Sequence, residues 1–217
     1  MNEIAANLVV LFATVCLIAA IFWWTKRRQA NQLLGLWQMA AERGWELMPV
    51  REPLAWGFRV TGPGWVLEVI SRSAAVESGP GSSEIAESTC WQAQSAGGPI
   101  IIGPRLLPGD ADSSVSAWMH QQVVGRILGA AAAGLHEIAA GSPALRQQYS
   151  LWAGDAADLE ALLSQAVESA LLHWQGKKPV INRAQGMLQI AISGVRYEKA
   201  AQMDALVHLG EALLPKR

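Results

Sequence analysis

The chain has 217 residues, 51% of them hydrophobic and 16% charged, with ten Trp and a formal net charge of −1. This composition excludes disorder as the main state and allows one domain of ordinary size. With no run of five like charges, it also argues against a nucleic-acid partner.

From Ile4 to Trp24 the sequence IAANLVVLFATVCLIAAIFWW carries no charge. Its 21 residues predict a helix about 31 Å long, which matches the hydrocarbon thickness of a bilayer. Trp23 and Trp24 are followed by Lys26, Arg27 and Arg28, an aromatic belt with a basic cluster beyond it. That order marks the cytoplasmic end of a membrane helix. The expectation is a single-pass inner-membrane anchor over residues 1–28, with the N-terminus outside and the C-terminal domain in the cytoplasm.

The alternatives fit less well. A cleavable signal peptide carries its basic residues ahead of the apolar stretch and ends on small residues, whereas this one ends on Ile21, Phe22 and the two Trp. A lipoprotein site at Cys16 would need small residues before it, and Thr14 and Val15 stand there. A buried core helix of this length rarely lacks charge altogether. Within the anchor, Ala6, Ala13, Cys16 and Ala20 line one face and would allow close contact with another membrane helix, or a second copy. The frequency of Ala in membrane helices is the plainer explanation of that stripe.

Residues 29–44 continue as a juxtamembrane helix, with Leu33, Leu34, Trp37, Ala40 and Ala41 at helical spacing and a stop at Gly44. The remainder, 45–217, reads as an α+β domain of antiparallel β-hairpins with helices packed on one face. Trp56, Phe58 and Val60 alternate before GPG at 62–64, and Trp65, Leu67 and Val69 alternate after it, which predicts a hairpin. Residues 73–87 read as an exposed loop. A second hairpin is expected to pair Ser88–Gln94 with Pro99–Gly103 across SAGG.

An amphipathic helix follows over Val115, Trp118, Met119, Val123 and Ile127. Leu135–Ala140 and Gln147–Ala153 read as short strands. One long helix is predicted from the N-cap Asp155 to Gly176, then a third hairpin, Val180–Arg183 with Met187–Ser193, and a last helix over about Tyr197–Leu214. The recurring strand, strand, helix order suggests repeated units.

After the three basic residues and one acid of 1–28 are set aside, 14 basic and 17 acidic side chains remain. Cys90 is then the sole cysteine, so no internal disulfide can form, as suits a reducing compartment. Phosphate-loop and serine-elbow motifs are absent. His120, His136, His173 and His208 are isolated in sequence, Asp110 and Asp112 read as helix caps, and Cys90 reads as an inert thiol. No catalytic, cofactor-binding or metal-binding residue is expected.

Two functions remain. The first is a non-enzymatic protein-interaction domain, an accessory subunit or assembly factor of a membrane complex, with Trp37 and Trp45 as docking residues nearest the bilayer. The second is a membrane-tethered sensor or enzyme whose pocket would draw on Arg59, Glu68, His120 and His136.

Overall fold

The computed structural model describes residues 2–75, 83–105 and 134–214, without the side chains of 2–11, 13, 25–26, 28–33, 74–75 and 83–84. Helix α1 (Asn2–Glu42) is 41 residues long. It stops as its glycine predicts. Gly44 takes φ +67°, its N–H donates to Ala41 O, and the N–H of Trp45 donates to Ala40 O, a Schellman closure that turns the chain back on itself.

Strand β1 (Glu46–Glu52) starts directly after this reversal and pairs with β2 (Ala55–Gly62). β2 turns through Pro63 and Gly64 into β3 (Trp65–Ala75), with Gly62 opposite Trp65, so this hairpin forms where the alternation placed it. β4 (Ser83–Gln94) pairs with β3 along its whole length. The loop expected over 73–87 is therefore corrected: both strands run into it, and only 76–82 lie outside the described residues. Ser and Glu hid the strand pattern, because this end of the ladder is held by backbone hydrogen bonds more than by apolar burial.

The second hairpin is also corrected. β5 (Ile100–Pro104) does not pair with β4, whose two edges are occupied by β3 and by β9 (Met187–Ser193). β9 forms its expected hairpin with β8 (Val180–Ala184), turning at Gln185 and Gly186, both with positive φ. That hairpin inserts between β4 and β5. β7 (Tyr149–Ala153) pairs with β5, and the two-residue β6 (His136–Glu137) closes the edge. The result is one antiparallel sheet in the order β1-β2-β3-β4-β9-β8-β5-β7-β6.

Leu135–Ala140 thus contributes only β6, and the strand expected from Gln147 begins at Tyr149, after a short helix α2 (Pro143–Gln148). Ser142 caps α2 and Pro143 opens it, a start signal that strand-rich neighbours obscured. The single helix expected from Asp155 is two, α3 (Ala156–Leu162) and α4 (Gln165–Leu172). Asp155 caps the first as predicted. Ser164 breaks the run and caps the second, its Oγ accepting from Val167 N at 3.3 Å. The last helix is α5 (Ala200–Leu213). The helix predicted over 115–127 falls outside the described residues.

Pairing registers put Val60, Leu67, Trp91, Ile190, Ile181, Ile102 and Leu151 on one face of the sheet, and all of them are buried with residues of the helices. Leu145, Leu159, Val167, Leu171, Met203 and Leu209 supply the helical half of that core, and Leu36 and Ala40 bring in the last turns of α1. Gly210 of α5 lets the helix approach Trp91, since a Cβ there would run into the indole. The α+β architecture with helices on one face of an antiparallel sheet therefore holds for the described residues.

Candidate functional site

Three groups of side chains carry chemical or surface character. The first is α1 itself. Every described side chain from Thr14 to Trp24 is exposed, among them Cys16, Ala20, Ile18 and Phe22, and Trp23 and Trp24 are each 62% exposed. Arg27 sits over the Trp23 ring at 5.2 Å, a cation–π contact. The side chains of Ala6, Ala13, Lys26 and Arg28 lie outside the described residues. Among the described residues, no helix is long and apolar enough to cross a membrane. The anchor read over Ile4–Trp24 includes residues whose side chains are not described.

The second group joins α1 to the sheet. Arg43 pairs with Asp204 of α5 and stacks over Trp45 at 5.0 Å. Trp45 in turn meets Trp65 edge-on at 5.0 Å, and Trp65 is followed inward by Trp91 at 6.4 Å. Trp45 is thus a half-buried packing residue, so its ring is committed to the core. Trp37 differs. It is 50% exposed, unlike the buried Leu36 and Ala40, and Leu34 is exposed as well.

The third group is polar. On the sheet face opposite the helices, Arg59 and Glu68 stand directly across from each other, with Arg59 Nε donating to Glu68 Oε1 at 2.8 Å. Cys90 follows on the next strand and accepts from Gln189 Nε2 at 3.1 Å. Burial pushes the Cys90 thiol up, the Gln189 hydrogen bond opposes that shift, and the Glu68 charge adds to it. The thiol stays protonated at neutral pH and is a poor nucleophile. Of the four pocket candidates, only Arg59 and Glu68 come together, and they neutralise each other. His136 lies on β6 at the far edge of the sheet, and His120 is outside the described residues.

His173 acts as a C-cap, its Nδ1 2.9 Å from Ser169 O, and His208 is exposed on α5 beside Asp204. Among the described residues no three His, Cys, Asp or Glu side chains converge on a metal-sized site.

Sequence reasoning missed one buried pair. Arg183, on the helix-facing side of β8, donates to Asp158 Oδ1 at 2.9 Å and through Nε to Gly98 O at 2.8 Å. Asp158 also accepts from Gly98 N. The network clamps the turn between β4 and β5 onto α3, and side chains at Gly97 or Gly98 would collide with it. An Arg at an inward strand position was the available signal; its partner is 25 residues away.

The chain matches no family model, no curated protein and no solved structure. Among the described residues the fold is a nine-stranded antiparallel sheet with helices on one face and a long helix, α1, docked at one edge.

Proposed function

We propose that the protein is a single-pass inner-membrane protein whose cytoplasmic α+β domain binds other proteins, as an accessory subunit or assembly factor of a membrane complex. One observation carries the membrane half of this reading: α1 is apolar and exposed on all sides from Thr14 to Trp24. A helix in water ordinarily keeps a polar face, so exposed apolar side chains around the whole circumference support a lipid setting for this segment. The run from Trp23 to Arg28 supports the orientation, because the basic cluster adjoins the domain.

The interaction half is supported by the exposed Trp37 and Leu34 on the one part of α1 that is both outside the apolar segment and docked on the domain. The mutual pairing of Arg59 with Glu68, and the protonated Cys90, leave the ligand-binding alternative without a specific observation in its favour.

Purification in mild detergent at native expression tests the reading. It predicts sedimentation with membranes after an alkaline wash and elution with a stoichiometric partner that Trp37→Ala weakens. Release by the alkaline wash would contradict the anchor, and a clean monomer would contradict the interaction role.

A further inference from the structure

We infer that the domain touches the same bilayer that holds α1, through an apolar lip made by Leu54, Trp56 and Ile85. The inference rests on the anchor reading above. Leu54 is 65%, Trp56 39% and Ile85 54% exposed; the registers put Trp56 and Ile85 on the face of the sheet that the helices cover elsewhere, and Leu54 lies in the turn between β1 and β2. They are neighbours: Ser73 N–H donates to Leu54 O, Ser73 stands opposite Ile85, and Trp56 stands opposite Ser71 on the same strand. The lip is the end of β2, β3 and β4 that runs past the helical cover.

The direction of the chain says what faces it. Leu36 and Ala40 enter the core together with Leu47, Phe58 and Val60, so the last turns of α1 lie along the sheet. The closure at Gly44 then sends β1 back toward the N-terminal end of α1. Measured from that reversal, 18 residues of helix separate Glu42 from Trp24 and eight of extended chain separate Glu46 from Leu54. Both paths are about 27 Å, at about 1.5 Å per helical and about 3.3 Å per strand residue. The lip therefore reaches the level of the Trp23 and Trp24 belt, within the headgroup layer.

Charge does not drive the contact. Arg51 and Arg72 flank the lip, but so do Glu52 and Glu87, and all four are exposed. Apolar and aromatic insertion is what remains, so the contact should not require anionic lipid.

The test uses the full chain carrying Cys16→Ala and Cys90→Ser, with a single new cysteine labelled by an environment-sensitive fluorophore. Leu54→Cys reports the lip, Trp24→Cys the belt, and Met187→Cys the opposite end of the sheet, where Met187 pairs with Gln94. The protein is reconstituted into phosphatidylcholine vesicles, with or without phosphatidylglycerol, containing headgroup-proximal spin-labelled lipid. The inference predicts that the labels at 54 and 24 are both quenched, several-fold more than the label at 187, in both lipid mixtures. Quenching at 24 with none at 54 beyond that at 187 overturns the lip and leaves the anchor standing. Absence of quenching at 24 and 54 alike overturns both.

Discussion

Helix α1 contains two regions that obey different rules. From Leu34 to Glu42 it is amphipathic, burying Leu36 and Ala40 against the sheet while Leu34 and Trp37 face outward. From Thr14 to Trp24 its described side chains are nearly all apolar and all exposed. The contrast teaches that amphipathicity on this helix follows the partner. Beside the domain, Leu36 and Ala40 turn inward while Gln38 and Glu42 turn outward together with Leu34 and Trp37; from Thr14 to Trp24 exposed apolar side chains cover the whole circumference, as the proposed lipid setting would require.

The contrast can be broken from either side. Truncating the aromatic stack of the core by Trp91→Ala should cost about 3–5 kcal/mol in chemical denaturation, because a fully buried indole leaves a cavity against α5. Membrane association should survive as long as the domain folds. The opposite perturbation is Ile18→Arg, in the middle of the apolar segment. It should oppose insertion by about 2.5–3.5 kcal/mol and shift the protein toward the soluble fraction, leaving the domain's denaturation midpoint unchanged.

Smaller effects sharpen the domain side. Arg183→Met removes one partner of the buried pair and leaves the Asp158 carboxylate and Gly98 carbonyl without it. Because the Asp158 side chain is 33% exposed, the expected loss is about 2–3 kcal/mol, below that of a fully buried pair.

The smallest effect is a pH dependence. The folded Cys90 thiol holds its proton to higher pH than the thiol of the unfolded chain, so its contribution is present below the ordinary thiol value of 9.0 and is lost as pH rises past it. Between about pH 8 and about pH 10 the wild type should lose more stability than Cys90→Ser, measured by denaturant midpoints.

Local signals in the sequence carried much of the fold. Gly44 as a helix stop, Pro63 and Gly64 as a hairpin turn, Asp155 as a cap, and the β8–β9 hairpin follow from chemistry within a few residues. What was not legible depended on distance or competition. Nothing near SAGG tells that β9, nearly a hundred residues on, will take the β4 edge that β5 was expected to fill. The split at Ser164 was masked by Leu162, Leu163 and Val167, whose spacing suits one helix as well as two. Arg183 and Asp158 gave no joint signal for the same reason of separation. Trp45, which its position soon after the apolar segment suggests as a docking residue, packs on Trp65, whereas Trp37 is exposed.

Of the two cysteines, Cys16 lies in the exposed apolar segment and Cys90 in the sheet, which gives the most direct test of the central proposal that α1 lies in lipid. In a Cys90→Ser background, Cys16 is the only thiol, and it is exposed on the helix surface. Native membranes are treated with a charged, membrane-impermeant maleimide. The account predicts no labelling of Cys16 until the bilayer is dissolved in detergent, and rapid labelling afterwards. Rapid labelling in intact membranes would place that face of α1 in water and contradict the account.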